Sequence, residues 1–284
     1  MFNCENEIKE LIEGFDGNVY LYVSDDKGNE IRYNENEVVE TASCIKLFIL
    51  IDFYHQIVSG KKSKYDLIHF SPKTDMVEHG SGIIQYLDDF DLSAYNMAIL
   101  MMIVSDNIAT NKMIEYLGFE NINNTIKELG FEKTYLNARK LDFNIYKSVG
   151  KTTAYEYGRA YKMLLNKEIL DSESCDEIIK ILANQTKNEM IIKYLPTNYI
   201  SRKGEEGVYL KYIATKSGGL GSGERNPKDN CRNDGGIIST LNGDYVISIF
   251  MDGLKDFYFY NDNPAIVLGA KISKLVFDEF EKNN

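Results

Sequence analysis

Thr41-Ala42-Ser43-Cys44-Ile45-Lys46-Leu47-Phe48-Ile49-Leu50 begins an apolar run that shows almost no polar face until Tyr54-His55-Gln56. That length and hydrophobicity predict a buried helix. At a spacing of three, Ser43 and Lys46 share one helical face in its first turn. A serine at a helix start is commonly only a cap. The lysine demands more: an ammonium at the mouth of an apolar helix must find partners, or give up its proton and act as a base. Taken singly, Ser-x-x-Lys is common and capping is the plainer reading. Two further motifs change the weighting.

Outward from this helix, the N-terminal side reads as a helix at residues 5–14, a strand at 18–24, a turn at 26–29 and a returning strand at 30–33. From about 60 to 194 the pattern is mostly helical. Helices are predicted at 92–104, with Ser93 as cap, at 108–117 and 121–129, stopped by Gly118 and Gly130, from Thr152 or Thr153 onward, and at 172–183. Residues 134–151 read as a long surface loop, a length at which function is worth suspecting. Strands follow at 208–215, 235–241 and 244–252, the last two joined by Asn242-Gly243, with a glycine-rich loop at 219–234 and a closing helix at 264–280. This order predicts an α/β (α+β) fold. One antiparallel sheet flanked by the terminal helices is built from 1–58 plus 197–284, and an all-helical lobe, 59–196, is inserted in mid-chain.

The chain has 284 residues, 44% hydrophobic, enough for one large core or two intimately packed lobes. Its formal charge is −11 with no Lys/Arg-rich run, which argues against a nucleic-acid partner. Cys4, Cys44, Cys175 and Cys231 form no C-x-x-C pair, and His55, His69 and His79 are scattered, so neither a zinc site nor any other metal or cofactor is expected. Free thiols are the plain reading; pairing of Cys4 with Cys231 is the alternative, and Cys44 is expected to face the core. No stretch is long and apolar enough to span a membrane, and the acidic N-terminus has no signal-peptide pattern. The chain as written is expected in the cytoplasm, a previously removed leader being the alternative. Nothing in the sequence speaks to oligomeric state.

Three motifs stand in order: Ser43-x-x-Lys46 on the buried helix, Ser105-Asp106-Asn107 between two helices, and Lys216-Ser217-Gly218 at a strand end. In that order and on those elements, the chain resembles the serine β-lactamases and penicillin-binding proteins, with class A β-lactamases the nearest layout. The resemblance covers nearly the whole chain. It implies an acyl-enzyme on Ser43, with Lys46 as base and Ser105 passing a proton to the leaving nitrogen. Asn107 would take a substrate amide, Lys216 and Ser217 a ligand carboxylate, and the backbone N–H groups of Ser43 and Gly219 the oxyanion. Asp106 reads as structural. Arg225 or Arg232 is a candidate for an extra positive group, and His79-Gly80-Ser81-Gly82 for a turn at the cleft rim. The expected partner is a small β-lactam or peptide-like amide.

The departure lies in the loop before Thr152-Thr153. Where the class A pattern Glu-x-x-Leu-Asn carries the glutamate that activates the deacylating water, the best match here is Lys140-Leu141-Asp142-Phe143-Asn144. Lys140 stands in the glutamate's place, Asn144 fits the asparagine, and Asp142, two residues along, is the nearby carboxylate. Two hydrolytic outcomes stay open: turnover with another group supplying the water, or acylation followed by slow release, as in a penicillin-binding protein or D-Ala-D-Ala peptidase. A non-catalytic ligand-binding domain on the same fold is the third reading.

Overall fold

The structure, a computed structural model, describes residues 2–77, 80–142, 148–187, 189–196, 210–221 and 229–282. Its frame is an antiparallel sheet. β1 (Asn18–Asp25) pairs with β2 (Glu30–Tyr33) and with β11 (Gly243–Asp252), which pairs with β10 (Cys231–Thr240), which pairs with both β8 (Leu210–Thr215) and the short β9 (Gly218–Leu220). Asn242-Gly243 makes the β10–β11 hairpin, as its turn chemistry predicts.

The two faces of the sheet are read from alternate residues of its strands. On one face, Val19, Leu21 and Val23 of β1 and Ile247, Ile249 and Met251 of β11 pack with Ile8 and Ile12 of α1 (Glu5–Glu13) and Ile272, Val276 and Phe280 of α8 (Pro264–Lys282). On the other, Tyr22, Val246 and Phe250 join a larger core built around α2 (Lys46–Val58), α3 (Ala94–Ile103), α4 (Asn107–Leu117), α5 (Phe119–Glu128), α6 (Ala154–Leu165) and α7 (Ser172–Ala183). Ser93, Asp106, Thr153 and Asp171 cap α3, α4, α6 and α7 through their side chains.

The mid-chain block is not wholly helical. β4 (Leu67–Phe70) pairs with β5 (Phe90–Ser93), and β6 (Tyr135–Leu136) and β7 (Gly150–Thr152) join β3 (Val39–Glu40) in a small sheet. These are strands of two to four residues, too short for alternation to announce them. The glycine-rich loop is also shorter than its composition suggests, since both β9 and the start of β10 are cut from it. All four cysteines are free and buried, which removes the Cys4–Cys231 pairing. No helix among the described residues is long and apolar enough to cross a membrane.

Candidate active site

Ser43 does not lie in the α-helix. Ala42–Ile45 form a 3-10 turn, and the α-helix proper starts at Lys46. Neither segment has a side-chain N-cap, so Ser43 is not spent on capping. Ala42, immediately before it, has φ +46°, a left-handed value that is unfavourable for a residue with a Cβ. β9 packs on this turn. A Cβ placed on Gly218 would stand 2.7 Å from the Ser43 nitrogen and 2.8 Å from both the Cys44 nitrogen and the Thr41 oxygen. Only glycine permits that approach.

The first lysine is fully buried. Lys46 Nζ donates to the Ser105 carbonyl (2.8 Å), the Ser105 hydroxyl (3.1 Å) and Asn107 Oδ1 (2.8 Å). Ser105 presents carbonyl and hydroxyl together because it too is left-handed, at φ +56°. Its loop is tied down by Asp106, which caps Ala109 with one oxygen (2.9 Å) and accepts from Ile83 (2.7 Å) and Ile84 (2.9 Å) with the other. Asp106 is therefore structural, as the sequence suggests.

The second lysine enters from the sheet. Lys216 Nζ donates to the Ser105 hydroxyl at 3.1 Å and to the Ser217 carbonyl at 2.7 Å. One hydroxyl thus bridges two buried amines. Among the described residues no carboxylate forms an ion pair with either amine. Burial, and then the neighbouring Lys216, hold Lys46 well below the usual lysine range. Burial lowers Lys216 to about 8, against the opposing pull of Asp234.

Several residues that position these groups carry no local signal. Tyr157 of α6 donates to the Lys216 carbonyl at 2.9 Å. Gln185 donates to Thr215 Oγ1 (2.7 Å) and accepts from the Ser217 nitrogen (3.2 Å), spanning the kink between β8 and β9. Asn233 of β10 donates to the carbonyls of Glu40 (2.7 Å) and Thr41 (3.2 Å), just ahead of Ser43. Asp234, buried and raised by that burial to about 7, accepts from the nitrogens of Ile191 and Gly235. Buried polar residues opening a strand, Asn233-Asp234, are the one signal that the sequence could have given.

The remaining predicted residues are placed as follows. The Ser217 hydroxyl donates to the Lys187 carbonyl at 3.1 Å, and the exposed Lys187 lowers both buried lysines electrostatically, which puts a third cation near them. Gly219 lies at the centre of β9. Arg232 is not a free cation facing the cleft: it is 3% exposed, with its guanidinium taken by four backbone carbonyls. In the loop, Asn111 of α4 grips the Leu141 backbone twice: its Oδ1 accepts from the Leu141 nitrogen (2.6 Å) and its Nδ2 donates to the Leu141 carbonyl (3.3 Å). Lys140 is exposed, and the Asp142 nitrogen donates to the Lys140 carbonyl at 3.0 Å. Asn144, His79 and Arg225 lie outside the described residues.

The profile of the beta-lactamase enzyme family matches residues 3–280. Among solved structures, a beta-lactamase from Sphaerobacter thermophilus superposes with a TM-score of 0.84 at 23% identity, covering 99% of this chain and 98% of that one. A class A beta-lactamase from Bacteroides cellulosilyticus gives 0.82 at 19% identity over 98% and 97%. PBP-A gives 0.81 at 25% identity over 99% and 97%, and a PBP-A mutant solved as an acyl-enzyme complex with penicillin G is also similar. No curated protein matches.

Proposed function

This chain belongs to the beta-lactamase enzyme family, and we propose that it is a serine acyl-transferring hydrolase that opens β-lactams or related amides through an acyl-enzyme on Ser43. The observation that carries this reading is the Ser105 hydroxyl, 3.1 Å from each of two buried lysine amines. A protein that only bound ligands would have no use for so costly an arrangement of desolvated amines.

In the proposed reaction the neutral Lys46 amine takes the Ser43 hydroxyl proton as the oxygen attacks the amide carbon. The oxyanion collects between the backbone N–H groups of Ser43 and Gly219. The C–N bond then breaks, and the nitrogen takes the Ser105 proton, which is replaced from the lysinium at Lys46. Lys216, still charged below about pH 8, steadies the Ser105 oxygen and faces the ligand's carboxylate. Lys187 adds positive potential from the exposed side.

Release needs a water and a base. With an exposed lysine at position 140 where the class A pattern has glutamate, the acyl-enzyme is expected to persist, as in a penicillin-binding protein. Intact-mass measurement after mixing with benzylpenicillin tests the whole reading. The expected result is a long-lived adduct of one penicillin that is absent from Ser43→Ala. Lys140→Glu should hasten its loss, whereas rapid turnover by the unaltered protein would assign water activation to another group, Asp142 first. Absence of both adduct and turnover leaves the binding-domain reading standing.

A further inference from the structure

A carboxylate lies directly behind the turn that carries Ser43. Glu40 ends β3, two residues before Ala42, and is 9% exposed. A carboxylate shut away from water must be met by donors. Its Oε1 accepts from the Ala42 nitrogen (3.3 Å) on the side of the turn. The same oxygen accepts from the nitrogens of Val149 (2.9 Å) and Gly150 (3.3 Å), where the long loop runs into β7. Its Oε2 accepts from the Ser148 hydroxyl (2.6 Å), with Lys151 Nζ 3.3 Å away. One side chain thus bonds both the residue before Ser43 and the segment that closes the loop.

The junction bears on Ser43 through Ala42. Ala42 is left-handed, at φ +46°, a conformation that an alanine keeps only where its surroundings impose it. Thr41, which flanks the 3-10 turn, supplies no side-chain cap, and it is Glu40 that takes the Ala42 N–H. Other bonds hold the same stretch at different atoms: Asn233 takes the carbonyls of Glu40 and Thr41, and the Thr41 nitrogen donates to the Gly150 carbonyl at 3.0 Å. The loop end also packs on the turn itself, since a Cβ on Gly150 would stand 2.9 Å from Ile45 Cγ1. Bonds to an ionised carboxylate are the stronger kind, and here they sit where a strained residue has to be held.

We propose that Glu40 is a positioning residue for Ser43: by joining the Ala42 N–H to the loop end, its carboxylate keeps Ala42 left-handed and so fixes the backbone from which Ser43 projects. The proposal rests on the acyl-transfer reading of Ser43 and adds to it a residue that acts through its neighbour. The test is the rate of acylation by benzylpenicillin over a range of concentrations, read beside the thermal midpoint of each variant. Glu40→Ala should lower the maximal rate by about tenfold or more, toward the roughly hundredfold loss that a misplacement of about an ångström brings, and leave the half-saturating concentration within about twofold. Glu40→Gln keeps an oxygen for Ala42, Val149 and Gly150, and should stay within about threefold of the unaltered rate. Ser148→Ala loosens the loop end but spares the bond to Ala42. It should lower the thermal midpoint and leave acylation within about twofold. On an Ala42→Gly background, where a left-handed φ carries no steric cost, adding Glu40→Ala should slow acylation by less than about threefold, because the two positions are coupled. A loss that persists undiminished on that background, an equal loss in Ser148→Ala or Glu40→Gln, or no loss in Glu40→Ala would overturn the positioning role while leaving the acyl-transfer reading intact. Failure of benzylpenicillin to acylate the unaltered protein would overturn that reading, and the role of Glu40 with it.

Discussion

Lys46 and Lys216 meet at one hydroxyl with no carboxylate paired to either among the described residues; burial lowers both, Lys216 adds to the lowering of Lys46, and Asp234 opposes that of Lys216. This gives the cleft a pH signature. Lys46 is neutral where ordinary lysines are charged, and Lys216 loses its proton near pH 8. If the Lys216 charge holds the ligand, acylation by benzylpenicillin should fall as pH rises through about 8, and should also fall on the acid side as Lys46 takes up its proton, as read from a stopped-flow rate profile. Asp234 helps to hold the Lys216 proton, so Asp234→Asn should move the alkaline fall to lower pH. The same variant carries a stability test. The Asp234 carboxyl titrates near 7 in the folded chain, above its ordinary value of 3.8, so the folded state holds a proton that the unfolded state has lost. That contribution favours the fold at acid pH and is lost as pH rises toward 7. Between pH 5 and pH 8 the thermal midpoint of the unaltered protein should therefore drop further than that of Asp234→Asn.

At the level of elements, the 3-10 turn at Ala42–Ile45 and strand β9 form one unit, because Gly218 lets their backbones touch. Gly218→Ala should separate them by a fraction of an ångström to an ångström. The expected result is a folded protein whose acylation is slower by about a hundredfold, the usual penalty for misplacing a reacting group on that scale. Asn111→Ala tests the loop instead. It strips both partners from the Leu141 backbone and should cost about 1–3 kcal/mol, seen as a lower thermal midpoint and faster amide exchange at Leu141. These elements also show how far sequence reading reaches. The meeting of Lys46, Ser105 and Lys216 is legible because each sits in a short motif, and α1, α3, α4, α6, α7, α8 and the Asn242-Gly243 hairpin announce themselves by periodicity and turn chemistry. Strands β3 to β7 were not, since two to four residues cannot establish a period. The 3-10 geometry at Ser43 is imposed by the packing of β9, which belongs to a distant part of the chain. Gln185, Asn233 and Tyr157 act on the site through contacts across tens of residues, and the disposal of Arg232 into four carbonyls depends on a loop that follows it by 25 positions.

Taken as a whole molecule, the sheet and the helical block share a core, and Tyr157 stands where they meet. Its ring packs edge-on against Phe250 of β11 (5.2 Å between centres) and Tyr161 of α6 (5.3 Å), and at a tilt against Phe48 of α2 (6.3 Å). A Cβ on Gly235 of β10 would come within 2.6 Å of it. Its hydroxyl, kept neutral by burial, donates to the Lys216 carbonyl, which also receives the Cys44 thiol at 3.3 Å. A residue that joins both halves should couple their unfolding. Tyr157→Ala is expected to cost about 3–5 kcal/mol, as for other large-to-small changes in a packed core, and to lower the midpoint by roughly 10 °C for a chain of this size. Melting of the unaltered protein should still be a single transition, with equal calorimetric and van't Hoff enthalpies. Tyr157→Phe keeps the ring and removes only the hydroxyl. It should cost about 1 kcal/mol yet slow acylation more than that loss of stability accounts for, because the bond it breaks holds the strand end that carries Lys216. Two separate melting steps, or acylation by Tyr157→Phe equal to that of the unaltered protein, would show instead that the halves are joined elsewhere and that Lys216 is held by the sheet alone.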